Sequence, residues 1–317
     1  MTDLDGLYRA FDALGMEGGW HRRRPALWAE PAQNFMPARW RYREVKPILE
    51  AAGALVSTEF AERRNLTMTN PAPGNIYPTL RTLVAAYQLV KAGETARSHR
   101  HTPNALRLIL DGTGATTTVD GQRVPMRPGD VLLTPGGAWH SHANEGAGDC
   151  LWLDFLDVPL VHLLEPMFFE PHPEKFEPAS IDAADSPLAF RREDTEARLA
   201  AAAPDATRMS ERQVELTHVP GTPALRTIAL HMQRLAPGVR TATHRSTANS
   251  LFAVLSGSGT TMVDGSALDW QRGDVIAVPA WRPYHHDLHR IDEPATVLRV
   301  SDEPVLRALG FLRERFE

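Results

Sequence analysis

The chain has 317 residues, 43% of them hydrophobic, and a formal net charge of −5 at pH 7. This is the composition of a folded chain with room for two ordinary domains, and its interspersed charges lack the basic stripe that nucleic-acid binding needs. The start, MTDLDGLYRAFDALG, is acidic where a secretory leader is positive, and no apolar run approaches the ~20 residues that span a bilayer, so a cytoplasmic chain with no membrane contact is expected.

Apolar residues at helical spacing in LYRAFDALG and YREVKPILEAAGAL predict two helices near the start, and RRNLTMTNP then alternates like a strand. Next come short β-rich runs, LRLIL, ATTTVDG and DVLLTP, broken by Gly-x-Gly, Asp-Gly and Gly-Asp turn signals. The stretch from roughly 160 to 215 is rich in Pro, Asp, Glu and Ala and reads as a linker, with some helix near TEARLAAAAP. The β pattern then returns in LFAVL, TTMVDG and DVIAVP. Many short strands at regular spacing argue for sandwiches or barrels. The expected organisation is a helical arm over 1–75, a first barrel over 76–165, a linker over 166–215 and a second barrel over 216–317.

The second barrel repeats the first. HRHTPNALRLILDGTGATTTVDGQ, beginning at His99, lies over HRSTANSLFAVLSGSGTTMVDGS, beginning at His244, and PMRPGDVLLTP lies over LDWQRGDVIAVP. Asp120-Gly121 and Asp264-Gly265 are the dipeptides a tight hairpin prefers, and Gly129-Asp130 matches Gly273-Asp274, so these pairs serve the fold. The differences carry the chemistry: His99 matches His244, but His101 faces Ser246 and Arg107 faces Phe252. A working site is therefore expected in the first copy.

On a strand, residues two apart share a face, so His99 and His101 project together, as do His140 and His142. Three neutral imidazoles suit Fe(II), Zn(II), Cu(II), Ni(II) or Mn(II). Counting on from His101 in steps of two reaches Arg107, whose planar guanidinium suits a carboxylate. The lone Cys150 makes no internal disulfide and is expected to be a small buried side chain.

The constellation resembles the cupin superfamily, whose barrels carry a His-x-His motif, a downstream glutamate and a second motif ending in histidine. The first motif here is His99-x-His101 and the second runs from Gly129 to His140; the glutamate positions hold Ala105 and Leu106. That departure is shared by the bicupin gentisate 1,2-dioxygenases and their salicylate and 1-hydroxy-2-naphthoate counterparts, which bind Fe(II) with three histidines. The resemblance extends through ERRNLTMTNP, AAYQLVKAGETARSHRHTPNALR and WHSHANEGAGDCLWLDFLDVPLV, closely over most of the first 165 residues and more loosely over the second barrel.

The resemblance implies a mainly β bicupin, two jelly-roll β-barrels with an N-terminal helical arm. It also implies an Fe(II) enzyme with His99, His101 and His140 as ligands. Six-coordinate iron would keep three positions for O2 and a bidentate aromatic hydroxy acid, opened between its carboxyl-bearing and hydroxyl-bearing carbons. Arg107 takes the place of the carboxylate-binding arginine, Gln88 and Arg63 (or Arg64) those of further substrate contacts, and Trp152 that of a pocket residue. His142 and Asp154 occupy the positions of a histidine that hydrogen-bonds the substrate and an aspartate that meets a ring substituent. Salicylate-cleaving relatives carry a tryptophan where this chain has Val84, which points to gentisate or another 5-substituted salicylate. The resemblance further implies a homotetramer, with no metal in the second barrel despite His244, His285 and His286. The rival readings are a non-catalytic bicupin that binds a small aromatic acid, and a metal-dependent cupin isomerase or hydrolase.

Overall fold

The computed structural model describes residues 3–20, 27–183, 185–288 and 293–317. Parts of the expected arm (1–2 and 21–26) and of the expected linker (184) lie outside them. The chain divides into a small unit, 1–32, and a large one, 33–317. Among its described residues the small unit carries one helix, Leu4–Ala13, capped by Asp3, whose carboxylate accepts from Gly6 N at 2.6 Å.

Both expected barrels form within the large unit. One sheet of the first runs Ala189–Phe190, Val131–Thr134, Ala105–Asp111, Cys150–Leu156, Val84–Val90, Arg64–Thr67. It faces a second sheet of Phe169–Pro171, Thr95–His101, His140–Asn144, Ala115–Val119, Gln122–Pro125 and Ile181–Asp182. The other barrel pairs Ala38–Trp40, Val275–Val278, Ser250–Ser256, Ala295–Ser301, Ala229–Leu235 and Arg212–Glu215 in one sheet. Its second sheet holds Ser266–Gln271, Ser258–Val263, Tyr284–Asp287, His244–Ser246 and Glu314–Phe316. The Asp-Gly hairpins take the left-handed conformation their sequence predicts, with φ of 45° and 76° at Asp120 and Gly121 and 47° and 80° at Asp264 and Gly265.

The expected linker is corrected. Phe169–Pro171, Ile181–Asp182 and Ala189–Phe190 extend the first barrel, and Arg212–Glu215 extends the second. Strands of two to four residues show no readable period, yet they cover edges that would otherwise present unpaired backbone. The arm is corrected too, because Ala38–Trp40 pairs with Val275–Val278 of the second barrel. The two barrels thus exchange strands reciprocally. Asp274 Oδ1 accepts from Tyr42 N, at the start of helix Tyr42–Leu55, and Asp130 Oδ1 accepts from Arg192 N, at the start of helix Arg192–Ala201, both at 2.9 Å.

One apolar cluster joins the outer faces of the sheets that contain Ala105–Asp111 and Ser250–Ser256, with Leu106, Leu108, Leu153 and Phe155 from the first barrel and Met232, Leu251 and Leu298 from the second. Each such side chain contributes about 1.5–3 kcal/mol when fully buried. Strand Ala105–Asp111 is therefore covered on both sides, which explains why LRLIL reads as nearly continuous apolar sequence around one arginine. Cys150 is fully buried, as expected, and burial pushes its thiol up to about 12.

The second barrel's interior is apolar around Phe252, Val254, Trp270 and Val297, with His286 held there by Thr261 Oγ1 at 2.8 Å. Burial lowers the His286 pKa from 6.5 to about 3. Its neutral form is thus the one the fold accommodates. The stability this gives is fully present above pH 6.5, declines as the unfolded chain takes up a proton below that, and is gone once pH has fallen through about 3. In His286→Gln, the acid limb of a denaturation series over that window is expected to shallow by about one proton; an unchanged slope contradicts the assignment.

Candidate metal centre and its cavity

His99 and His101 end strand Thr95–His101, and His140 opens strand His140–Asn144. The two strands pair antiparallel with His99 opposite His140. Their ring centroids lie 4.3 Å apart, with His101 4.8 Å from His140 and 5.7 Å from His99. The ligand atoms of all three fall within 4.8 Å of one another. Each Nδ1 faces a main-chain carbonyl: His99 that of Arg97 at 3.2 Å, His101 that of Pro103 at 2.9 Å, His140 that of Ala138 at 3.1 Å. This fixes the proton on Nδ1 and leaves the Nε2 lone pair for a ligand bond.

Burial lowers the pKa of His99 to about 3, and it lowers those of His101 and His140 too, with the cations Arg63 and Arg107 adding to the effect at His99 and His101 and Arg107 at His140. All three are neutral at physiological pH, as ligation requires. Among the described residues His140 Nε2 is buried without a hydrogen-bond partner, a cost that a bound ion would remove. The donor set therefore fits a divalent metal.

The histidines form one end of a cavity of about 160 Å³. Val84, Ala86 and Leu156 give it apolar walls, Asn65, Thr67 and Tyr77 a polar side, and Phe169 an exposed lip 5.2 Å from His99. Arg107 enters from the opposite sheet. The chain turns between His101 and Ala105, so counting by twos along one strand reached the right residue by a route the fold does not take. Its guanidinium is 2% exposed, donates from Nη1 to Thr134 Oγ1 at 2.5 Å, and holds Nε 3.3 Å from Asp154 Oδ1.

Asp154 has both oxygens engaged, accepting from Trp152 Nε1 at 2.9 Å and from the Gln88 amide. Burial raises its pKa, opposed by Arg107 and Arg63. Arg63 lines the cavity, with Nη2 3.5 Å from His99 Nε2. Arg64 is buried and paired with Glu94, so neither of the adjacent arginines is a solvent residue.

Two expected contacts lie behind the wall. Trp152 is 1% exposed within the apolar cluster of Val90, Ile109 and Leu132, so the expectation that it lines the cavity is corrected: its place on the strand is too deep in the barrel. His142 is also buried, its ring 6.2 Å from His140 and 5.4 Å from Trp152, and among the described residues neither of its nitrogens has a hydrogen-bond partner. Burial and Arg107 lower its pKa well below the ordinary imidazole value.

Sequence reasoning missed Thr134, Tyr77, Asn65, Thr67 and Phe169. A usable signal existed only for Thr134, which the repeat places opposite Val278. In the second barrel, His244 Nδ1 meets Tyr284 Oη at 3.1 Å and its Nε2 meets Glu314 at 3.0 Å, while His285 meets Asp287 at 3.2 Å.

The cupin domain model matches residues 86–156 and 231–301, one span in each barrel. The 5-aminosalicylate 1,2-dioxygenase of Comamonas sp is 37% identical over 99% of this chain and 90% of its own length. The gentisate 1,2 dioxygenase 1 of Aquipseudomonas alcaligenes is 32% identical over 93% of this chain and 91% of its own. Among solved structures, a variant of salicylate 1,2-dioxygenase from Pseudoaminobacter salicylatoxidans in complex with gentisate superposes with a TM-score of 0.91 at 26% identity, over 100% of this chain and 95% of that one.

Proposed function

We infer from its place in the gentisate and salicylate 1,2-dioxygenase family of bicupins, to which this chain belongs, that it is a ring-cleaving dioxygenase. Its substrate is gentisate or another 5-substituted salicylate, 5-aminosalicylate included, opened between the carboxyl-bearing and hydroxyl-bearing carbons with O2. The observation that carries this reading is a cluster of three histidines and a buried arginine, Arg107, from the facing sheet lining one small cavity.

His99, His101 and His140 would hold Fe(II), which when bound supplies open coordination positions and the one-electron chemistry that lets an aromatic ring react with O2. The protein's own groups do the rest. Arg107 grips the carboxylate with the donors left over from Thr134 and Asp154, which fixes where the ring lies. Arg63 and Gln88 place further donors along the same wall. His142, at the position of the family's substrate-bonding histidine, stands buried behind the cavity wall with its ring 6.2 Å from that of His140, so no substrate contact is assigned to it. Asp154, with both oxygens taken, acts on Arg107 and Gln88 instead of on the ring. We place the working protein in the cytoplasm as a homotetramer on the family resemblance alone; among the described residues, no helix is long and apolar enough to cross a membrane.

A substrate panel tests the grip. Gentisate, 5-aminosalicylate, salicylate, 5-nitrosalicylate, 5-chlorosalicylate and 1-hydroxy-2-naphthoate are compared by loss of aromatic absorbance, with benzoate and hydroquinone as controls that lack one of the two ortho groups. Turnover is expected with at least one ortho-hydroxy acid and with neither control. Turnover of hydroquinone, which has no carboxylate, contradicts the role given to Arg107.

A further inference from the structure

We propose that Thr134 is the positioning residue of the carboxylate clamp: it holds the Arg107 guanidinium in the one orientation that presents its free donors to the substrate. The proposal rests on the reading of Arg107 as that clamp. Thr134 ends strand Val131–Thr134, is fully buried, and stands opposite Ala105, diagonal to Arg107 in the pairing of the two strands. Its hydroxyl oxygen accepts from Arg107 Nη1 at 2.5 Å, while Asp154 approaches Nε at 3.3 Å. A guanidinium has five N–H donors in a rigid plane, and among the described residues the Nη1–Thr134 bond is the directional contact on it, since the Asp154 approach to Nε is an ion pair without hydrogen-bond geometry. Asp154 alone would supply charge but leave the group free to pivot.

The repeat provides an internal control. In the second barrel Ser250 stands opposite Val278 and Phe252 opposite Ile276, the same register as Ala105 opposite Thr134 and Arg107 opposite Leu132. Thr134 therefore corresponds to Val278, and Arg107 to Phe252. Both second-barrel residues are buried in one apolar cluster. Valine, nearly the same shape as threonine, serves there, and the buried guanidinium of the second barrel, Arg299, is held by Ser250 Oγ at 3.1 Å instead. The hydroxyl is thus needed for the arginine and dispensable for packing.

The test compares wild type, Thr134→Val, Thr134→Ser, Arg107→Ala and the Thr134→Val/Arg107→Ala double variant. Gentisate affinity is titrated anaerobically on Zn(II)-loaded protein, metal content is assayed, and KM and kcat are measured on the Fe(II) form. Thr134→Val is expected to keep its metal and weaken gentisate binding about tenfold, the loss of one hydrogen bond to a charged group, with KM rising more than kcat falls. Thr134→Ser restores the affinity, and Thr134→Val adds no further loss once Arg107 is gone. If Thr134→Val binds like wild type while Arg107→Ala does not, the clamp stands and the role of Thr134 is overturned. Lower thermal stability and kcat without a change in affinity reduce Thr134 to packing and overturn it equally. If Arg107→Ala itself binds like wild type, the clamp reading fails and this proposal falls with it.

Discussion

His101→Ala is expected to leave a folded protein that holds no stoichiometric metal and has no measurable dioxygenase activity. His101 is only partly buried and opens onto the cavity, so its truncation removes little packing. The loss falls on the centre. Two imidazoles, His99 and His140, remain on one side, and no carboxylate stands in at Ala105 or Leu106 to restore a third ligand. His140 Nε2 would then remain buried with nothing to ligate. Metal analysis after reconstitution, with far-UV circular dichroism as the check on folding, measures the effect directly. His244→Ala is the matched control. It breaks contacts to Tyr284 and Glu314 in the other barrel, so metal content should be unchanged. A His101→Ala protein that retained one metal per chain would remove this residue from the ligand set.

Arg107→Ala is expected to separate binding from metal content. The three histidines keep their backbone partners, so the metal stays. The substrate carboxylate loses a charged, planar partner, which costs about 2 kcal/mol or more and appears as a rise in KM of roughly thirtyfold. Stability should fall as well. Removing one partner of a buried ion pair strands the other, here Asp154, at a typical cost of about 3–5 kcal/mol. Arg107→Lys should recover part of the stability and little of the affinity, because a point charge cannot reproduce two parallel hydrogen bonds. Unchanged kinetics in Arg107→Ala would show that the carboxylate is held elsewhere.

These residues also show which parts of the site could be read from sequence. His99, His101 and His140 were legible because strand alternation puts residues two apart on one face, whatever the surrounding fold. The duplication was legible in its Asp-Gly and Gly-Asp turns, which need particular backbone conformations. Arg107 was reached by an argument that treated 101–107 as one strand, whereas the chain turns and crosses to the facing sheet. The contrast with Phe252 was the sounder signal, and it would have yielded Thr134 had Val278 been read in the same way. Trp152 and Asp154 share a face, but spacing carries no information about depth, and depth separates a cavity wall from the core beneath it. The reciprocal strands Ala38–Trp40 and Ala189–Phe190 were invisible because they are short and pair with partners far away in sequence.

Oxygen consumption by anaerobically Fe(II)-loaded protein, followed together with loss of aromatic absorbance, tests the central claim most directly, with the metal-free protein and His101→Ala as blanks. The account predicts that O2 uptake and ring loss proceed mole for mole with gentisate or another 5-substituted salicylate, and that both vanish in the blanks. Absence of uptake with every acid tried, with iron confirmed in the protein, would contradict it and favour a bicupin that binds an aromatic acid without oxidising it or that carries out isomerase or hydrolase chemistry.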